Sequence, residues 1–230
     1  MEFKSFFSKA LIVAAVAILT TSCSFKNRKG VDLGLPSGTL WSSCNLGAEK
    51  PTDTGLFFAW GETVGYTPED HHDFWWENYL TNLGSAIRHW RTCGTSLDPL
   101  AEYTRDKNVK LPLEYDAANK MLGDDWRLPT YEEIEELLHF CTWEWTSVNG
   151  TLGYKVSSKK NKNFIFLPAA GYMDGTMLCG PEEWGYYLTS NAYPPAPGYA
   201  RILYFFSNDA YWNFSSRYNG HSIRPVRSSK

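Results

Sequence analysis

Few residues of this 230-residue chain stand in patterns that could do chemistry. The densest titratable cluster is Glu69-Asp70-His71-His72-Asp73. Adjacent histidines point to opposite sides of a strand, or lie about 100° apart on a helix, so they serve one metal ion poorly. A solvated loop is the expectation there. His89, His139 and His221 have no nucleophile or acid at a recognisable spacing, and Gly-x-Ser-x-Gly is absent. No catalytic residue, metal or cofactor is therefore expected.

Trp126-Arg127-Leu128-Pro129-Thr130 is the most distinctive polar phrase, and each position has a folding role. Trp126 is expected in the core. Pro129 ends any preceding helix, Thr130 caps the next one, and Glu133 completes a capping box. A buried Arg127 needs a carboxylate, for which Glu62 is the candidate. On this reading Arg127 serves stability and not ligand binding.

Five cysteines stand at 23, 44, 93, 141 and 179, with no CxxC among them. Cys23 follows a segment with the layout of an export signal. Lys4 and Lys9 are positive, Ala10 to Leu19 are apolar, and Thr20-Thr21-Ser22 are small. An apolar run of about 10 residues is too short to span a bilayer, which needs roughly 20. Leu-Thr-Thr-Ser-Cys resembles a bacterial lipobox, with Leu19 one place farther from the cysteine than usual. That resemblance implies a signal over 1–22, a lipid on Cys23, and a polar, basic tether over 23–30. The tether lacks an acidic run resembling a surface-export signal, which favours the periplasmic face of the outer membrane. Acylation of Cys23 would leave Cys44, Cys93, Cys141 and Cys179, an even number in an oxidising compartment, with the pairing open.

Removing residues 1–22 leaves 208, enough for one domain with a sizeable core. The leader carries Lys4, Lys9 and Glu2, so net charge shifts from −3 to about −4. No basic stripe exists, so nucleic-acid binding is not expected. Aromatic residues make up 16% of the chain, and such side chains dominate both cores and binding surfaces.

Two helices are legible. One is expected over about 114–122, with Leu113, Ala117, Ala118 and Met121 on one face and Gly123 as a stop. The other starts at Thr130, with Glu132, Glu133, Glu135 and Glu136 crowding its positive end and Ile134, Leu137, Leu138 and Cys141 forming the stripe. Residues 63–110 read as a long irregular excursion. Strands are expected at 153–157 and 164–167 as a hairpin, then at 186–190, 200–206 and 222–227. Alternation in Tyr211-Trp212-Asn213-Phe214 places half of those side chains inward. Helices before strands give an α+β domain.

Seven phrases in order resemble one family. They begin with the stretch from Val31 to Trp41, Cys44-Asn45-Leu46-Gly47-Ala48, and Phe58-Ala59-Trp60-Gly61-Glu62. Next come Trp126 to Thr130, and Cys141-Thr142-Trp143-Glu144-Trp145. Phe166 to Tyr172 and Ser222-Ile223-Arg224-Pro225-Val226-Arg227 complete the set. Together they resemble the Fibrobacter succinogenes major paralogous domain, common in lipoproteins of Bacteroidetes, over about 31–228. The resemblance implies a single C-type-lectin-like domain over 31–230, with two helices flanking small antiparallel sheets, long loops, and a last strand near the first. Calcium-dependent lectins of that fold carry intact Glu-Pro-Asn or Gln-Pro-Asp and Trp-Asn-Asp phrases. Here Phe214 follows Trp212-Asn213, and Pro194-Pro195-Ala196-Pro197 offers no carboxylate, so a calcium-dependent site is not expected.

What remains is an aromatic surface. Tyr193, Tyr199, Tyr211, Trp212 and Tyr218, with Tyr204 nearby, cluster among prolines and glycines near the C-terminus. Tyrosine and tryptophan give large contact area at low entropic cost. The expectation is a non-catalytic, envelope-anchored binding module that recognises a glycan or protein through its loops. One alternative is an assembly subunit of a surface complex or fibre. Another is an enzyme of the sulfatase-modifying type, which would need a cysteine pair in an open cleft. Oligomeric state is left open.

Overall fold

The second helix forms where its signals are strongest. In the computed structural model, residues 29–71, 100–104, 109–123 and 125–229 are described. Helix α2 spans Tyr131–Phe140. The Thr130 hydroxyl accepts the Glu133 amide at 3.3 Å, and Glu133 accepts the Thr130 amide at 2.8 Å. That capping box satisfies two helix-end donors. It also fixes a carboxylate at the helix start. Arg127 pairs with that carboxylate, donating to both Glu133 oxygens at 2.6 and 2.7 Å. Thr39 donates a third bond at 2.6 Å. The partner of Arg127 is thus Glu133 and not Glu62. The capping box already holds Glu133 within reach, so little further ordering is needed. Burial alone would raise the Glu133 carboxyl, but Arg127, Thr39 and the Thr130 amide hold it below the usual glutamate range.

The first helix, α1, is shorter than its apolar spacing suggests, spanning Ala117–Leu122. Residues Leu113–Tyr115 form a separate 3-10 turn, and Leu113 is 55% exposed. The cause is Asp116, whose carboxylate accepts the amides of Asn119 and Leu128. A side chain capping the backbone there restarts the helix after it. Cys141, read as the end of the α2 stripe, is the first residue of the following strand.

Eleven strands are present among the described residues, and every paired strand is antiparallel. Strands β1 (Gly30–Asp32), β2 (Leu40–Ser42) and β11 (Val226–Arg227) pair in the order β1-β2-β11, so the two ends of the described chain share a sheet. Pairing starts at Gly30, the last residue assigned to the tether. Strands β3 (Cys141–Val148), β4 (Thr151–Ser158) and β5 (Phe164–Pro168) form a meander. Strands β6 (Tyr172–Asp174) and β7 (Met177–Cys179) form a small hairpin. Strands β8 (Trp184–Ala192), β9 (Tyr199–Phe206) and β10 (Asp209–Ser216) form the longest sheet, with β10 at its edge. Of the stretch 222–227, only the last two residues form a strand, because Pro225 has no amide to donate to a ladder. The architecture is α+β, with two helices and several small antiparallel sheets.

The β8-β9-β10 sheet separates two apolar clusters. One face sends Tyr187, Leu203 and Phe205 toward α2 and the β3-β4-β5 meander. The other sends Leu188, Ala200 and Ile202 toward Phe58, Trp60 and α1. Trp41, Trp60 and Trp126 are all buried, Trp143 is half-buried, and Trp60 donates to the Thr189 carbonyl at 3.0 Å. Gly61 follows Trp60 at φ +87°, where a Cβ would lie 2.4 Å from the Leu100 side chain. Glycine is therefore required at that turn.

Arg224 is fully buried. It donates to the Asn45 side-chain carbonyl, the Ser42 carbonyl and the Phe166 carbonyl at 2.9, 3.1 and 2.7 Å. Asn45 in turn donates to the Tyr187 hydroxyl at 3.2 Å, which donates to the Pro168 carbonyl at 2.7 Å. Three sheets meet on this one network.

The cysteines do not all pair. Cys44 is disulfide-bonded to a partner outside the described residues, while Cys141 and Cys179 are free thiols. The leader, Cys23, Cys93, His72 and Asp73 also lie outside the described residues, as does most of the 63–110 excursion.

Replacing Arg224 with Ala strands three buried acceptors, each costing about 1–3 kcal/mol. The expected loss is at least ~3 kcal/mol in urea unfolding at neutral pH. Arg224→Lys should recover only a minor part, since one ammonium cannot span three carbonyls in different directions.

Candidate ligand-binding face

The outer part of the β8-β9-β10 sheet carries the aromatic residues singled out in the sequence, but on two opposite faces. Cross-strand pairs Leu203↔Trp212 and Arg201↔Phe214 put Trp212, Phe214, Arg201 and Tyr199 on the α2 side. Pair Tyr204↔Tyr211 puts Tyr211 on the other side. No residue of β10 is buried, contrary to the half-inward expectation from its alternation. The reason is position: an edge strand is covered by neighbours on one flank only.

On the α2 side the rings form a continuous cluster. Tyr131, the first residue of α2, meets Trp212 edge-on with centroids 5.3 Å apart. Tyr193 stacks on Phe214 at 4.4 Å, and Tyr199 meets Phe214 edge-on at 5.5 Å. Trp212, Phe214 and Tyr199 remain 37%, 43% and 38% exposed. Large apolar rings left this open mark contact surfaces more often than chance does.

Arg201 lies among them. Its guanidinium carbon sits 4.1 Å from the Tyr131 ring centre, 5.0 Å from Trp212 and 5.9 Å from Tyr193. Among the described residues no carboxylate forms an ion pair with it, and its Nε is buried without an acceptor. The Tyr131 hydroxyl donates to Glu135 at 2.8 Å. Burial foremost, then that acceptor, raise the Tyr131 pKa, against a smaller opposing effect of Arg201. Tyr131, Arg201 and Phe214 were not singled out as site residues. Phe214 was noted only as a departure from a calcium phrase, and nothing local marks Arg201.

The opposite face is tyrosine-rich and more enclosed. Tyr172, Tyr186, Tyr204 and Tyr211 follow one another at centroid distances of 4.6, 4.8 and 5.4 Å. Burial pushes the Tyr186 hydroxyl well above its usual range. Beneath them lies His221, fully buried, with Nε2 2.9 Å from the Ser215 hydroxyl. A serine beside a histidine invites a nucleophile–base reading. Burial pushes this imidazole down to about 3, so it is neutral across the physiological range and too weak a base for the task. Among the described residues no acid orients its Nδ1. Tyr218, half-buried, follows β10 in a turn.

Two grooves run along α2. One, of about 410 Å³, is lined by Ser37, Lys110, Thr130, Glu132, Glu133 and Glu136. Two of its three carboxylates are engaged: Glu133 holds Arg127, and Glu136 accepts from the Ser37 hydroxyl at 2.7 Å. In the 69–73 stretch, Asp70 accepts the Thr67 amide and hydroxyl. Burial raises the Cys141 thiol to about 11, which leaves it protonated and unreactive.

No family model, curated protein or solved structure matches the chain. No helix among the described residues is long and apolar enough to cross a membrane.

Two outcomes follow from these buried polar groups. Arg127→Ala leaves the buried Glu133 carboxylate without its cation, held only by Thr39 and the Thr130 amide, and breaking such a pair costs up to about 3–5 kcal/mol. Its thermal midpoint should fall clearly, and a variant melting like the parent would refute the structural role. His221 has a folded pKa below its unfolded one, so protons bind the unfolded chain preferentially. Stability should therefore decline as pH falls from about 6.5 toward about 3, by up to ~1.4 kcal/mol per pH unit from this group. His221→Gln should flatten that part of the urea-unfolding pH profile.

Proposed function

We propose that this chain is a non-catalytic binding module of the bacterial cell envelope, mounted by a lipid on Cys23. Its contact face is the exposed aromatic cluster of β9 and β10. The observation that carries this reading is the open set of Trp212, Phe214 and Tyr199 around Arg201. Such rings suit the apolar face of a sugar or a protein loop. The contact surface is therefore a strand face more than a set of loops.

The same reading takes the fold as C-type-lectin-like, of the Fibrobacter succinogenes major paralogous type. Two helices, small antiparallel sheets and β11 lying beside β2 next to β1 support it. It places the protein at the outer membrane, on the periplasmic face.

An assembly subunit is the second reading, and the edge position of β10 is what favours it. Yet that edge is blunted. The side chains of Asp209 and Asn213 accept the amides of Ala210 and Phe214 at 2.8 Å each. Amides held by their own neighbours are poor templates for an added strand. A sulfatase-modifying activity would need two open cysteines together. Cys44 is in a disulfide and Cys141 is buried, which weighs against it.

A glycan-array and envelope pull-down screen tests the binding reading. Binding should persist in a chelator and fall at least about tenfold in Trp212→Ala and Phe214→Ala, while Tyr211→Ala retains it. Binding lost only in Tyr211→Ala would move the site to the opposite face.

A further inference from the structure

We infer that the Arg201 cradle is a subsite for the carboxylate of an acidic sugar, such as a uronic acid residue within a polysaccharide. The inference rests on the aromatic face being the binding face, and it names the ligand class.

The charge is the first argument. Arg127 has its carboxylate and Arg224 has three carbonyls, but Arg201 has no described carboxylate partner. Tyr131 and Trp212 lie against the guanidinium and displace water from it. Nε is buried without an acceptor, which leaves the terminal nitrogens as its usable donors. A planar fork flanked by rings matches a carboxylate in two parallel bonds. Desolvation by the rings strengthens those bonds relative to an exposed arginine.

The second argument is the surroundings. Arg201 pairs in register with Phe214, and Trp212 lies two residues away along the same strand face. Side chains two apart on a strand are about 7 Å apart. A sugar ring whose carboxylate reaches Arg201 therefore has an exposed aromatic ring on either side for its C–H face. An acidic peptide would satisfy the cation but has no flat apolar face to match Phe214 and Trp212. Glu135 is the acid closest by connection, tied to Tyr131. Its charge opposes an incoming anion, so removing it should tighten binding.

The test is titration of the purified full chain with oligogalacturonate, a neutral galacto-oligosaccharide of equal length, free galacturonate and a poly-glutamate peptide. Oligogalacturonate should bind, weaken as salt is raised, and lose at least about tenfold in Arg201→Gln. Arg201→Lys should restore part of the loss, and Glu135→Gln should bind more tightly than the parent. Free galacturonate, lacking neighbouring rings, should bind more weakly through the same arginine. Equal binding of the neutral sugar, with no effect of Arg201→Gln, would overturn the carboxylate subsite while leaving the aromatic face intact. Peptide binding without sugar binding would overturn the sugar assignment. Absence of binding by every probe to a chain that melts normally would overturn the subsite too. Oligogalacturonate binding that Phe214→Ala and Trp212→Ala leave unchanged would instead sink the aromatic-face reading beneath it.

Discussion

The fold depends on giving one buried cation enough acceptors. Arg224 sits where the β1-β2-β11 sheet, the β3-β4-β5 meander and the β8-β9-β10 sheet come together, and no water can reach it. An arginine in such a place is tolerable only when its donors are satisfied. The chain supplies carbonyls, through Ser42, Asn45 and Phe166. Backbone carbonyls are fixed by secondary structure. Satisfying Arg224 therefore fixes the relative placement of the segments that carry them. Tyr187 extends this constraint into the longest sheet, and burial raises its hydroxyl to about 12, which keeps it a neutral donor.

That placement decides which aromatic residues work inside and which outside. With one face of the long sheet against α2 and the meander and the other against Trp60 and α1, β8 and β9 are consumed by the core. Strand β10 is what protrudes. Its rings are held by ring-to-ring contacts with Tyr131, Tyr193 and Tyr199, so they are ordered without being buried. Ordered, exposed rings lose little entropy on meeting a ligand. The capped amides of Ala210 and Phe214 keep the same edge from recruiting other strands.

Local signals were legible, and long-range ones were not. The start of α2 follows from Thr130, Glu133 and Pro129, because a capping box acts across three residues. The β3-β4 hairpin, not among the expected strand pairs, turns on Asn149-Gly150, both at positive φ, as a tight two-residue turn requires. Trp212 and Tyr199 were picked out by residue type alone. Arg127 was known to need a carboxylate, but choosing Glu133 over Glu62 required knowing that the cap points the carboxylate back toward position 127. Arg201 was invisible. Its meaning comes from Tyr131, seventy residues earlier, and from Trp212 on the next strand. No spacing rule links those three positions; only the packing of α2 on the sheet does.

The arginines illustrate the general point. Arg127, Arg217 and Arg224 read alike in a sequence, as isolated cations among aromatic and small residues. In the fold Arg127 takes a carboxylate and Arg224 takes carbonyls. Arg217 lies over Trp60 and donates to the Pro197 carbonyl. Each is thereby committed to holding segments of the chain together. Arg201 is stacked as firmly but has no acid to hold among the described residues. A folding role would be served as well by an uncharged side chain at that half-buried position, since stacking on Tyr131 and Trp212 requires flat surface more than charge. Retaining a desolvated cation on an exposed aromatic face costs stability, and an incoming anion is the partner that would offset that cost.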